Sequence, residues 1–310
     1  MRALVVWNPS AGSGRAEAIL AGVVERLTRA GLEVATHRTT SLDDARVTSG
    51  ANARLYDAVL ALGGDGTVGA CAGGLVKAAS DPGTPVAALG IIPAGSGNDA
   101  AAALGLPIRD PVAAAGLVPT LPRRPIDLVR AEVDGAPEPR WWLCVAGSGF
   151  DAEVNRFANR LPLRGRARYV SAVLALIGRS TPAHFSLELD GTPIETDAWL
   201  VATANAPGYG GGMRVAPTAR MDDGLLDLVV IGGLSRQAFL RAFPGVFAGT
   251  HVTHPAVTVH QATRATLRAS RPTWMYADGE AVGLLPVTCT VVPGAIDALA
   301  APGAPGLSPA

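Results

Sequence analysis

The sequence predicts an α/β domain with a parallel sheet followed by a second, mostly β domain of sandwich type. Three observations carry this. A length of 310 residues suits two domains better than one. Over roughly the first 125 residues, an apolar run, a glycine-rich turn and an alanine-rich stretch recur three times, the rhythm of parallel β/α units. From about Ile126 the texture changes to strand-length apolar runs with little helix between them.

In the first region, residues 4–7 lead into the turn 8–14, after which Ile19, Leu20, Val23, Val24 and Leu27 share one helical face ending before Gly31. Residues 58–62 lead into 63–66, and residues 86–92 lead into 93–98. In an open parallel sheet such turns lie together at the carboxyl ends of the strands, where ligands bind. In the second region, residues 185–189 and 199–203 read as strands, the first followed by an Asp190-Gly191 turn. Further strands are expected at 225–231, 257–260 and 287–292, with one helix near 169–177. The expected division is 1–125 and 126–289, with 290–300 packing back on the first domain. Residues 301–310, nearly all Ala, Pro, Gly and Ser, read as a disordered tail.

Composition narrows the function. A formal net charge of zero argues against the broad basic footprint of a nucleic-acid binder, and Lys77 is the only lysine. Cys71, Cys144 and Cys289 are scattered, without metal-ligand spacing or an even count for a disulfide framework, and suit a reducing cytoplasm. The apolar stretch before Asn8 is too short for a signal peptide, and no run approaches the roughly 20 residues of a membrane span. If its substrate lies in a membrane, such a cytoplasmic protein would have to visit the inner membrane surface transiently.

The turns carry the chemistry. Gly63, Gly64, Asp65, Gly66 and Thr67 let backbone N–H groups approach a phosphate at a helix N-terminus. A carboxylate beside a triphosphate is repulsive unless a divalent cation lies between them, so Asp65 points to magnesium as well as nucleotide. The plainer reading has Asp65 capping the helix. Pro93, Gly95, Ser96, Asn98 and Asp99 repeat the pattern, with capping again an alternative for Asn98 and Asp99. The first turn, beginning at Asn8, reads as a further phosphate or ribose contact, with Arg15 as a mobile cation, or as a plain helix entry.

With these motifs the chain resembles the diacylglycerol kinase catalytic family, specifically the bacterial soluble lipid kinases that share a fold with sphingosine and ceramide kinases. The resemblance extends to residues 149–154, to Asn205 with 209–212, to 216–219 and to 222–227. It implies that Asn8, Thr39, Gly63, Gly64, Asp65, Gly66, Thr67, Gly95, Ser96 and Asn98 contact ATP. Asp65, Asp99 and Asp127 would hold the catalytic Mg2+ through water, and Asp223 with the carbonyls of Arg220 and Leu225 would hold a second, structural one. Asp278 would be the catalytic base, supported by Glu280. Read from the residues alone, Asp278 and Glu280 also fit a polar hairpin turn, and Asp222-Asp223 a plain turn.

The chain departs from the family at Gly69 and Ala70, where an Asn-Glu pair is usual, at Ala100 and Ala102, and at Cys144. Arginines at 156, 160, 164, 166 and 168, interleaved with Phe157, Leu161, Leu163 and Tyr169, suit an anionic bilayer surface or, more plainly, a solvated helical face. His251 and His254 lack a third ligand. The rival readings are an NAD kinase-like enzyme, a dehydrogenase, for which Gly12-x-Gly14 lacks a third glycine, and a non-catalytic nucleotide-binding regulator. No motif fixes the acceptor lipid or the oligomeric state.

Overall fold

The computed structural model describes residues 1–12, 14–80, 86–163, 165–210 and 212–309, with only the helical backbone of 165 and 166. The chain divides into two compact units, 1–128 with 293–310, and 129–292.

The first unit opens with β1 (Arg2–Trp7), α1 (Arg15–Arg29), β2 (Glu33–Arg38), α2 (Leu42–Asn52), β3 (Ala58–Gly63), α3 (Asp65–Ala79) and β4 (Ala88–Pro93). Short helices α4 (Asp99–Ala103) and α5 (Pro111–Leu117) follow, and β5 (Arg123–Val133) carries the chain into the second unit. Strands run parallel in the order β4, β3, β1, β2. Val5 and Trp7 join Val23 and Leu27 of α1 and Ala115 of α5 in one core cluster. Leu4 and Val6, equally buried, point to the other face, which is why the strands read as unbroken apolar runs. On that side α2 and α3 cross so closely that a Cβ on Gly74 would lie 2.2 Å from the Arg46 carbonyl oxygen.

The second unit continues with β6 (Arg140–Trp142), β7 (Val145–Gly149), α6 (Phe150–Ala158), α7 (Gly165–Leu176), β8 (Ala183–Leu189), β9 (Thr192–Ala204), β10 (Leu226–Gly232), α8 (Arg236–Ala242) and α9 (Gly245–Ala248). It closes with β11 (Val257–Ala262), β12 (Arg264–Ala269), β13 (Trp274–Ala277), β14 (Glu280–Leu284) and the first part of β15 (Val287–Leu299). The strands are antiparallel, and β9 serves two sheets. Its first half pairs with β8, and β8 leads on to β12 and β15. Its second half pairs with β7, then β13 and β14, while β10 and β11 lie on its other edge. A shared core of Phe185, Leu187, Val201, Leu228, Leu267 and Met275 fills the sandwich. The Asp190-Gly191 turn adopts the left-handed backbone of a two-residue hairpin, with φ of 48° and 85°.

Two expectations change. Residues 301–309 do not fray: Ala301 N donates to Leu104 O at 2.9 Å, Gly306 N donates to Ala103 O at 2.8 Å, and Ala304 and Leu307 are buried against the same unit. Small side chains are what let this segment lie close to α4, so its composition reflects packing rather than disorder. The second unit also holds more helix than expected, because α6 and α8 are too short to show a sustained period. The end of β15 returns to the first unit, where Ala298 pairs in parallel with Leu89.

Candidate functional site

In the first unit the three glycine-rich turns meet. A Cβ on Gly12 would lie 2.2 Å from the Ala94 carbonyl oxygen, and one on Gly95 only 2.4 Å from Gly64 Cα. Ala94 N and Gly95 N both donate to Gly63 O, at 2.8 and 3.1 Å. Only glycine permits such backbone-to-backbone approach at Gly64 and Gly95.

Asp65 is the centre of this arrangement. It sits at the first position of α3, yet its carboxylate caps α4, accepting from Asn98 N at 2.8 Å, Asp99 N at 2.7 Å and Ala100 N at 3.3 Å. The cap anticipated from sequence exists, but on the next helix rather than its own. Burial raises the Asp65 carboxyl above the ordinary aspartate range, opposed by these amides. A point above Gly97, where its Cβ would be, is 2.7 Å from Asp65 Oδ2 and 3.1 Å from Asp99 Oδ2. The two acids thus converge.

Around them, Asn98 has a left-handed backbone and spends its amide on its own turn, accepting from Gly95 N at 2.9 Å and donating to Gly95 O and Ile108 O. It shapes the turn. Ser96 is exposed, while Thr67 is buried and within 3.5 Å of the Asn8 amide nitrogen. Asn8 also accepts from Ser10 N and Oγ, at 3.0 and 2.8 Å. Buried Thr39 follows β2, its N–H donating to Trp7 O. Arg15 donates to Arg109 O at 2.9 Å. Asp127 is buried and accepts from Gly294 N at 2.8 Å.

In the second unit Asp278 stands at the tip of the β13–β14 hairpin with φ of 49°. Its carboxylate accepts from three consecutive amides, Leu143 N at 2.7 Å, Cys144 N at 3.1 Å and Val145 N at 3.2 Å. Asn205, fully buried, holds that peptide in turn: its Nδ2 donates to Leu143 O at 2.8 Å and its backbone N donates to Cys144 O. Asn159, the residue after α6, donates to Gly279 O at 3.0 Å. Glu280 is exposed, with its carboxyl raised by partial desolvation. Cys144 supplies a backbone N–H to this arrangement, which any residue but proline at that position would also supply.

Asp223 accepts from Leu225 N at 3.0 Å, and burial and Asp222 raise its carboxyl. Neighbouring Asp227 is buried, its Oδ2 has no hydrogen-bond partner among the described residues, and burial and Asp223 push its carboxyl up to about 6. Asp227 and the buried pair Asp151 and Tyr209, whose hydroxyl donates to Asp151, lie in stretches that carry the resemblance, but the sequence assigned them no role. The available signal was an acid at an otherwise apolar strand or helix start. Among the described residues, no three His, Cys, Asp or Glu side chains form a metal cage.

A family model described as the diacylglycerol kinase catalytic domain matches residues 2–131, and one described as the YegS C-terminal NAD kinase beta sandwich-like domain matches 144–300. A Mycobacterium tuberculosis (strain H37Rv) protein named diacylglycerol kinase is 39% identical over 295 residues, covering 94% of this chain and 93% of the relative. The chain belongs to the diacylglycerol kinase catalytic family. A probable YegS-like lipid kinase of Stenotrophomonas maltophilia is 31% identical over 77% of each chain. A crystal structure of a putative diacylglycerol kinase from Bacillus anthracis superposes with a TM-score of 0.78 at 24% identity, covering 97% of this chain and 98% of that one, and shows the same fold. The chain is a kinase of this lipid kinase family, and these relatives do not favour an NAD kinase-like or non-catalytic reading. Its family membership implies a nucleotide donor and a lipid acceptor. Among the described residues no helix is long and apolar enough to cross a membrane.

Proposed function

We propose that the chain transfers the γ-phosphate of ATP, in a magnesium-dependent reaction, to the hydroxyl of a diacylglycerol-like lipid alcohol. The convergence of Asp65 and Asp99 above Gly97, inside turns built for close backbone approach, carries the reading. Two carboxylates at a triphosphate site repel it at several kcal/mol under an effective dielectric of about 20 unless a cation joins them. The donors are all oxygen, as a hard divalent ion requires, and one or two carboxylates plus substrate phosphates are the usual protein share of a magnesium site. Magnesium, when bound, would neutralise charge on the transferring phosphoryl group. Asp65 and Asp99 would hold it, with Asp127 as a further acid.

The chain's own residues do the positioning. Gly64, Gly66, Thr67 and Ser96 would offer N–H and hydroxyl donors to phosphate oxygens, Gly63 and Gly95 would let the backbone come close, and Asn8 and Thr39 would lie beside the nucleoside. Asn98 would act by holding its turn in shape. Asp278 would accept the proton of the lipid hydroxyl. The amides of Leu143, Cys144 and Val145 fix its orientation. Glu280 would support it. Asp223, with the carbonyls of Arg220 and Leu225, would hold the second, structural magnesium, and the unpartnered Oδ2 of Asp227 adds an oxygen donor to that locality.

Membrane contact is proposed on a smaller surface than the sequence suggested. Phe157, Leu161 and Tyr169 pack against the α6–α7 core, whereas Leu163, Leu174, Arg156 and Arg160 are exposed. Arg164 and the side chain of Arg166 lie outside the described residues. The deciding experiment is transfer of labelled phosphate from ATP to diacylglycerol, sphingoid, ceramide and polyprenol acceptors, with NAD as a control. Product with magnesium and a lipid acceptor, and none with chelator, is expected; equal transfer in chelator, or transfer to NAD alone, refutes the proposal.

A further inference from the structure

Within the first unit, the short helix α4 carries Asp99 at its first position and is gripped at both ends by segments remote in sequence. At its N-terminus the Asp65 carboxylate accepts from the amides of Asn98, Asp99 and Ala100. At its C-terminus the carbonyls of Ala103 and Leu104 accept from Gly306 N at 2.8 Å and Ala301 N at 2.9 Å. The last carbonyls of a helix have no partner within it, and a helix of five residues is far too short to hold its shape alone. The position of α4 is therefore set by what grips it.

Residues 301–309 fit this helix closely. Gly105, which follows α4, turns the chain with φ of 73°, and a Cβ there would lie 3.0 Å from Ala301 Cβ and 3.3 Å from Ala304 Cα. A Cβ on Gly306 would come within 2.8 Å of Ala103 Cβ and 2.9 Å of the Ala103 carbonyl oxygen. Two turns shape the segment, Ala304 N donating to Ala301 O and Leu307 N donating to Ala304 O, both at 3.1 Å. Ala304 and Leu307 are buried and anchor it.

We propose that residues 301–309 are a strap that positions the metal-holding acids, with Ala301 and Gly306 as the donors that fix α4 and Leu307 as the anchor. The inference rests on the proposed magnesium role of Asp65 and Asp99, and it adds what keeps the two acids in register. At about 1.5 Å per residue α4 is about 7.5 Å long, so a displacement at Ala103 is carried to Asp99. The same displacement shifts the amides that orient Asp65, and the convergence of the two carboxylates above Gly97 loosens. Magnesium demands near-octahedral geometry at short distances, so its binding is the first property to feel the change. The turn before α4 is tied separately, Ala94 N and Gly95 N donating to Gly63 O, so contacts to the nucleotide that need no metal persist.

The test uses the full chain in two variants that lift the strap. Gly306→Val drives a side chain against Ala103, and Leu307→Asp puts a charge in a buried apolar seat. Hydrogen exchange is measured first, without nucleotide or metal. In both variants the amides of Asn98, Asp99 and Ala100 should exchange at least about tenfold faster, as the loss of two ordinary hydrogen bonds implies, while those of β3 and β4 keep their wild-type protection. ATP binding should then need about tenfold more magnesium for half its enhancement, a usual cost of loosening what supports a metal ligand, with affinity in chelator unchanged. Unaltered exchange at these three amides, an unaltered magnesium requirement, or faster exchange spread through β3 and β4 overturns the proposal. Because a charge at 307 can unfold the unit, Leu307→Met is measured beside it and should match the wild type; a Met variant as defective as the Asp one also overturns the strap. A wild type whose ATP binding ignores magnesium would remove the proposed reaction and leave the strap decided by exchange. A magnesium-dependent wild type with both variants unaltered would do the reverse.

Discussion

Asp65 is assigned two jobs, and two substitutions separate them. As a cap it satisfies three N–H groups at the start of α4, two of them at 2.7 and 2.8 Å and one at a weaker 3.3 Å. Asp65→Ala leaves all three without a partner in a half-buried turn. At about 1–3 kcal/mol for each well-made bond to a charged group, and little for the long one, the loss should be about 2–6 kcal/mol. Asp65→Asn keeps one carbonyl oxygen in place and should cost only about 1–2 kcal/mol, the charge-assisted share. As a metal-holding acid, however, Asp65 fails equally in both variants. Urea unfolding followed by circular dichroism supplies the first readout, and ATP binding with magnesium or with chelator supplies the second. The expected pattern is graded stability with uniform loss of the magnesium effect. Asp65→Asn that binds ATP with the full magnesium enhancement refutes the metal role, and Asp65→Ala with an unshifted midpoint refutes the cap.

Three further outcomes follow from particular contacts. Gly95→Ala places a Cβ 2.4 Å from Gly64 Cα, backbone against backbone, and should destabilise by about 1–3 kcal/mol and raise the KM for ATP at least tenfold. Gly69→Ala has no neighbour within 4 Å of the new Cβ inside α3, and should raise stability by about 0.5–1 kcal/mol with ATP binding unchanged. Asn205→Ala removes the support of the peptide that holds Asp278, and is expected to cost about 1–3 kcal/mol and lower kcat more than it changes KM for ATP.

The pH prediction concerns Asp151. Burial pushes its carboxyl from the ordinary 3.8 up to about 6, so between those values the folded protein binds more protons than the unfolded chain. Stability from this group is therefore present below about pH 4 and is lost as pH rises through about 6, by about 3 kcal/mol at most. Asp151→Asn should flatten that segment of the stability curve measured by urea unfolding from pH 4 to 7. Parallel curves for wild type and variant would refute the assignment.

The glycine turns were legible because their requirement is local: a backbone that must approach another backbone or a phosphate can use few residues but glycine, and three strand-turn-helix units place such turns at one end of a parallel sheet. Asp65 and Asp99 stand out in the sequence as acids inside those turns, and the structure brings their carboxylates together above Gly97. Residues 301–309 were misread because packing of small side chains on α4 leaves no periodic trace. The role of Asp65 as the cap of the following helix was also hidden, since Asn98 and Asp99 are more than thirty residues away in the chain.

By itself the sequence determined two domains, a parallel α/β unit with phosphate-type turns and a β-rich unit, because strand and helix periods and turn chemistry are set by neighbours in the chain. Tertiary structure alone decided that Asp278 is held by the amides of Leu143, Cys144 and Val145, that Asp227 keeps an oxygen without a hydrogen-bond partner among the described residues, and that Phe150 of α6 and Phe239 of α8 line an apolar pocket together with Asp151 and Tyr209. Those arrangements join residues from distant segments, and their energies come from burial and hydrogen-bond geometry that no local pattern encodes.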